Sequence, residues 1–408
     1  MSKTQSSIIS DNELYSFNKG GSGSCHILYD LANWKNGLAF KNIDFSPTGK
    51  PVIKIAELND GIGPTTAYTE KEYPKEVYLQ KGDFLFSWSG NPQTSIDIYK
   101  FRMQEGWLNQ HIFKVIPNEK LVHRDFFFYL MKALKPNFTK IATNKQTTGL
   151  GHVTIADLKR LEVTIPDYNK QKKIAQILLS LDEKIELNNA INRNLEEQAQ
   201  ILFKNYEENK PSNLMKIADV AEINPDSFGL KDNRSFVNYL DTSSITQNVI
   251  SELQYINLNE EKLPSRAKRK VVENDIVYST VRPNQLHFGF INEVKPNMLV
   301  STGFAVIRSK NPLVSNEYIY LNLTKRDTIE KLQQIAEQSV STFPAIKPSD
   351  IGDCLINVFE KKDAEILNNQ LSAVFKKISQ NNQENQRLTL IRDTLLPKLM
   401  SGEMELGC

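Results

Sequence analysis

Ile174, Leu178, Leu181, Ile185, Asn188, Asn192, Leu195, Ala199 and Leu202 follow one another at spacings that alternate four and three. That is the period of a coiled-coil seam, apolar except for two asparagines at its middle. The pattern returns at Leu367, Leu371, Val374, Ile378, Asn381, Asn385, Leu388, Arg392 and Leu395, with asparagines at the same two steps. Neither run contains Gly or Pro, so each predicts one extended helix of about 40 residues, about 60 Å long. Ahead of each helix the pattern changes to short apolar runs separated by Gly, Pro and Asn: "KPVIKIAEL", "DFLFSWS" and "HIFKVI" before the first, "FVNYLD", "DIVYST" and "FAVIRS" before the second. These read as strands and turns. The class is α+β, a mixed α/β fold.

The two halves are copies. "KIELNNAINRNL" (184–195) and "KISQNNQENQRL" (377–388) share Lys, Ile, an Asn-Asn pair, a further Asn and a Leu, each 193 positions apart. The same offset matches Asp157 with Asp350, Leu158 with Ile351, Val163 with Ile356 and Ile165 with Val358. Upstream it slips by one, setting Asp83 on Asp275 and Ser87 on Ser279. A tandem duplication of a roughly 190-residue unit accounts for this. Scaffold and helix are alike and the loops are not, so one frame carries two different surfaces. The expected boundaries are 1–165 for a first globular domain, 166–208 for its helix, 209–359 for a second domain and 360–408 for the second helix. Asn18–His26 ("NKGGSGSCH") reads as a Gly/Ser linker and stands outside the fold argument, which leaves residues 1–30 open.

Two seams in one chain can close on each other. Antiparallel pairing carries the domains to opposite ends. The register that places Asn188 opposite Asn385 and Asn192 opposite Asn381 also places Ile185 on Leu388, Leu195 on Ile378 and Leu202 on Leu371. An amide buried against leucine leaves its donors unpaired, whereas amide against amide satisfies both, so these layers penalise other registers. The alternative is two separate amphipathic helices with their asparagines in water.

Composition changes little. The chain of 408 residues is 40% hydrophobic and 24% charged with a net charge of +2, which suits a soluble globular protein rather than one that coats nucleic acid indiscriminately. No apolar run approaches the roughly 20 residues of a membrane span. Cys25, Cys354 and Cys408 are too few and scattered for a disulfide framework or a Cys-x-x-Cys metal site, and the polar N-terminus is no secretory signal, so the cytoplasm is expected. "SRAKRK" (265–270) places four cations in six residues, either a solvated loop or a local nucleic-acid contact.

Several stretches resemble the specificity (S) subunit of type I restriction–modification systems. "LIRDTLLPKLMSGEMEL" (390–406) is similar to its C-terminus, and "VTIPDYNKQKKIAQILLSLDEKIELNN" with "LEEQAQILFKNYE" to its central helix. "WKNGLAFKNIDFSPTGKPVIKIAEL" and "KGDFLFSWSGNP" resemble segments of its first target-recognition domain. The likeness implies two target-recognition domains joined by an intramolecular antiparallel coiled coil with pseudo-twofold symmetry. It implies a non-catalytic, sequence-specific reader of double-stranded DNA, each domain reading one half of a split target and the helices setting the gap. Two modification (M) subunits are then expected on the helices and restriction (R) subunits beyond them. Half-sites one helical turn apart lie roughly 34 Å from each other, within the reach of such a helix.

Motifs for chemistry are missing. "GNPQ" (90–93) and "INPD" (223–226) lack the Pro-aromatic ending of a base methyltransferase, and "TGKP" (48–51) lacks the rest of a phosphate loop. Asp226 can be paired on paper with Glu293 and Lys295 as a nuclease triplet, an arrangement common by chance, and the five histidines form no ligand cluster. S-adenosylmethionine, ATP and Mg are therefore expected on partner subunits. Bases are read by Arg, Lys, Asn, Gln, Ser and Thr. Two loops of the first domain are candidates: Ser87, Ser89, Asn91 and Gln93 on one, and Asn144, Lys145, Gln146 and Thr147 on the other. Ser279, Arg282, Asn284 and Gln285 occupy the matching place of the first loop in the second copy, and Ser339 and Ser341 that of the second loop. Arg266, Lys268, Arg269 and Lys270 of the basic run complete the set. Two other readings stay open, a fused single-chain methyltransferase or nuclease and a coiled-coil scaffold that binds only proteins.

Overall fold

The computed structural model describes residues 15–18, 23–63, 65–146, 149–229, 234–339 and 344–404. Two compact units form, one from residues 1–184 with 387–408 and the other from 185–386. Two helices dominate the chain, Tyr168–Asn209 with 42 residues and Lys361–Ser401 with 41. Asp167 caps the first, its carboxylate accepting the Lys170 N–H at 3.0 Å. The second continues past the expected end of its seam and through Pro397. Among the described residues no helix is long and apolar enough to cross a membrane.

The first unit is built on two four-stranded sheets. One runs Ala32–Asn36, Ile112–Pro117, Phe84–Ser87, Asp97–Lys100, antiparallel throughout. The other runs Tyr68–Thr69, Lys50–Ile53, Glu105–Leu108, Tyr78–Gln80, and its middle pair is parallel. The second unit repeats both. Ala221–Ile223, Phe304–Ser309, Ile276–Ser279 and Phe288–Phe290 make the antiparallel sheet. Gln254–Asn257, Phe236–Leu240, Met298–Ser301 and Ala267–Arg269 make the mixed one, again with a parallel middle pair. A shared strand order with the same single parallel contact confirms the duplication.

The aligned aspartates do the same work in both copies. Asp83 accepts the Gln80 N–H at 2.8 Å and meets Lys114 at 2.7 Å. Asp275 accepts the Val272 N–H at 2.8 Å and holds Arg308 through two bonds of 2.7 and 2.8 Å. Each secures the turn into a central strand.

Three expectations need correction. "KPVIKIAEL" is strand only to Ile53; Ile55–Asp60 is helix, closed by a bond from the Lys54 N–H to Glu57 at 3.0 Å. The Gly/Ser segment belongs partly to the fold, since Ser24–Ile27 pairs antiparallel with Glu162–Ile165. Gly23 shows why small residues stand there: a Cβ would lie 2.1 Å from the Ile165 carbonyl oxygen. The four-cation run is only partly loop, because Ala267–Arg269 at its middle is a bulged strand on Met298–Ser301. Its partner is about thirty residues away in sequence, which no local pattern reveals.

Within the first unit the helix segments pack antiparallel under one core, with Ile174, Ala175 and Leu178 buried beside Leu399 and Met400. Arg392, a charged residue on the seam, reaches Asp182 at 2.8 Å, and Asp182 also accepts the Tyr129 hydroxyl at 2.7 Å. In the second unit Ala199 and Phe203 pack in one cluster with Leu367, Leu371, Phe375 and Ile378.

Candidate nucleic-acid interface

The asparagine layers lie wholly in the second unit, in the expected register. Asn188 Nδ2 donates to Asn385 Oδ1 at 2.9 Å, and Asn381 Nδ2 to Asn192 Oδ1 at 2.8 Å. A second pair of bonds, unforeseen, flanks them: Asn192 Nδ2 to Asn382 Oδ1 and Asn385 Nδ2 to Asn189 Oδ1, both 2.8 Å. Each pair is made of equivalent bonds seen from the two copies, so the local symmetry is twofold. Asn188 also donates to Glu384 at 2.8 Å. The signal for Asn189 and Asn382 was present in the repeated Asn-Asn dipeptide; nothing marked Glu384.

The two candidate loops of the first domain lie against each other. In the first domain Gly151 pairs with Gly90 and His152 with Ser89, and Ser89 Oγ lies 2.9 Å from His152 Nδ1. In the second, Val281 bridges Ala345 at the equivalent point and the Arg282 N–H donates to the Pro344 carbonyl at 3.0 Å. Asn91 and Gln93 are exposed on the first loop, where Asn91 Oδ1 accepts the Gln93 N–H at 2.9 Å. Asn144 and Gln146 are exposed too. In the second domain Asn284 and Gln285 are exposed and Ser339 accepts the Ala345 N–H at 3.3 Å. Thr147 and Ser341 lie outside the described residues.

Other candidates are placed less well for contact. Ser87 and Ser279 are buried at the ends of central strands, and Ser89 is buried against His152, so none of the three hydroxyls faces a groove. Lys145 is engaged by the Asp157 carboxylate. Arg266 and Lys268 are exposed, Arg269 and Lys270 half-buried; Lys268 and Arg269 lie in a strand of the mixed sheet and the other two flank it, away from the paired loops. Trp88 packs on Phe113 and donates to Asn36 at 3.2 Å. Asp226 meets Arg308 at 3.1 Å and Glu293 pairs with Lys295, so the paper triplet is not assembled.

One group escaped the sequence reading. Ile245–Thr246 and Val249–Ile250 form a hairpin whose Asn248 donates to the Tyr320 hydroxyl at 2.7 Å and to the Glu196 carboxylate on the first long helix. Burial pushes the Glu196 carboxyl up, against the opposing pull of the Asn248 and Tyr320 donors. A cleft of about 680 Å³ opens beside the hairpin, bordered by Arg193, Gln200, Ile201, Gln247, Val249 and Ile329.

Residues 27–197 match the family described as "Type I restriction modification DNA specificity domain". The chain is 29% identical over 157 residues to the type I restriction enzyme HindI specificity subunit of Haemophilus influenzae, covering 38% of this chain and 34% of that one. That match therefore spans only about a third of the relative's length. Against the type I restriction enzyme MjaIX specificity subunit of Methanocaldococcus jannaschii it is 22% identical, over 91% of this chain and 97% of the other. The crystal structure of the type I restriction–modification system S subunit from M. genitalium shares the fold, with a TM-score of 0.52 at 16% identity, over 94% and 97% of the two chains. With the duplicated domains, the paired helices and the C-terminal motif, these matches agree: residues 27–197 match the type I DNA specificity domain, and the chain is similar over most of its length to specificity subunits of type I restriction–modification systems.

Proposed function

We propose that this chain is the DNA-reading subunit of a type I restriction–modification complex, each domain recognising one half of a bipartite double-stranded target. The observation that carries the reading is a sheet framework built twice with one strand order and two unlike sets of exposed loops. A common frame with divergent polar loops is what two readers of two different sequences require. Recognition then falls to exposed Asn91, Gln93, Asn144 and Gln146 in the first domain and Asn284 and Gln285 in the second, whose amides match base edges in the major groove. The helices set the unread gap, their register held by the asparagine layers, and dock two modification subunits, to which restriction subunits add. S-adenosylmethionine, ATP and Mg act on those partners.

Selection from randomised duplexes tests this, with the full chain, a modification subunit and S-adenosylmethionine. Enrichment of a split, asymmetric motif is expected, with methylation only when the partner is present. Methylation by the chain alone would favour a fused enzyme, and no motif at all a protein-binding scaffold.

A further inference from the structure

We propose that Gln247 reads a base pair of the second half-site, a role that rests on the DNA-recognition reading above. Thr246 pairs with Val249, which leaves Gln247 and Asn248 as a two-residue hairpin loop. Both have positive φ, +44° and +66°. Such loops favour Asn-Gly because that conformation crowds other side chains. Asparagine suits the second position. A long glutamine at the first is strained, and glycine would relieve it.

The hairpin is held on every side. Asn248 Oδ1 accepts the Phe290 N–H at 2.9 Å, while its Nδ2 reaches Tyr320 at 2.7 Å and Glu196. Gly289 lets it lie flat on the strand below, for a Cβ there would stand 2.9 Å from Asn248 Cα and 2.7 Å from Ile245 Cδ1. The Gln247 N–H donates to the Leu286 carbonyl at 3.1 Å. Leu286 ends the turn that begins at Arg282 and presents Asn284 and Gln285. Arg282 and Leu286 are themselves at φ +47° and +60°. Among the described residues, four that are neither glycine nor asparagine have positive φ, and Gln247, Arg282 and Leu286 are three of them. Backbone held in this way by its surroundings gathers where a protein needs a side chain in one exact place.

Two turns tied backbone to backbone thus present three exposed primary amides, Gln247, Asn284 and Gln285. A planar amide offers one donor edge and one acceptor, the complement of adenine N7 and N6 in the major groove. The first domain has no counterpart among its described residues: between Lys50–Ile53 and Tyr68–Thr69 it carries the helix Ile55–Asp60. The hairpin is one structural reason for the second domain to read a different sequence.

Gln247→Gly is the discriminating variant, since glycine tolerates φ +44° and removes only the side chain. Assembled with its modification subunit and selected on randomised duplexes, it should lose roughly tenfold preference for an A·T pair at one position of one half-site, leaving the other half intact. Gly289→Ala, which lifts the hairpin without touching Gln247, should weaken the same position. An unchanged motif in Gln247→Gly overturns the inference. So does weaker assembly with the partner at unaltered base preference, which would make the hairpin a protein contact. If the parent chain itself enriches no split motif, the DNA reading has failed before the inference is reached.

Discussion

Asp157 shows how much one side chain can organise. Its carboxylate caps the helix Ile155–Arg160 through the Thr154 N–H and hydroxyl at 2.8 and 2.7 Å, accepts the Tyr15 hydroxyl at 2.8 Å, and meets Lys145. Burial pushes this carboxyl up, but the Lys145 ammonium, the Thr154 donors and the Tyr15 hydroxyl outweigh it and hold it below the usual carboxylate range. A depressed folded-state value means stability that is fully present above the unfolded value of about 3.9 and is lost as pH falls through the folded one. Asp157→Asn should therefore lower stability near neutral pH by about 1–3 kcal/mol, because whichever way the amide turns its nitrogen faces donors, either Lys145 and Tyr15 or the two groups of Thr154. It should also flatten the acid limb of a denaturation curve followed by circular dichroism. Equal stability at pH 7 in both proteins would deny the carboxylate this role. The repeat offset set Asp157 on Asp350 without revealing that either caps a helix; Asp350 accepts the Lys347 N–H at 2.7 Å, the equivalent bond. Tyr15 and Lys145 were not legible, because they reach the carboxylate only after the fold has closed.

At the level of elements, the long helices could be read from sequence because a heptad seam is local and repeated, and the asparagine register followed from asking what satisfies a buried amide. Short strands were harder. A two-residue loop made of Gln247 and Asn248 lacks the Asn-Gly signature, so "TQNVI" gave no warning of a hairpin, and glycine-rich 18–26 concealed a strand that needs glycine for close approach. The register device makes its own prediction. Asn188→Leu alone strands the Asn385 oxygen opposite an apolar group and should cost about 1–3 kcal/mol, seen as a lower thermal midpoint. Asn188→Leu with Asn385→Leu should recover much of that loss yet loosen the pairing, so that cysteines placed along the two helices cross-link at more than one offset. If the single variant melts with the parent, the layers contribute nothing to register.

For the whole molecule the duplication has a consequence that begins at the strand pairs closing each domain. Ser24 pairs with Ile165, and Asn213 with Val358, the residue aligned with Ile165 in the second copy. Each domain thus starts and finishes on neighbouring strands, and a segment whose ends meet can be exchanged without stretching what it joins. Both segments also lead into equivalent helices, capped at the first by Asp167 and started at the second by the bond from the Ala364 N–H to Glu360, the residue aligned with Asp167. Replacing residues 213–358 by residues 24–165 leaves behind Tyr15 and the strand Ser16–Phe17 and so removes one donor from Asp157, but should still give a chain that folds. The replacement removes Asn248 and Tyr320, the two donors to Glu196, so the variant should also carry Glu196→Gln to avoid leaving a buried carboxylate without donors. Under the proposed function it should select a target carrying the first domain's sequence in both halves. A folded exchange chain that still selects the parent's asymmetric target would show that sequence is read outside the exchanged segments, and the two-reader account would fall with it.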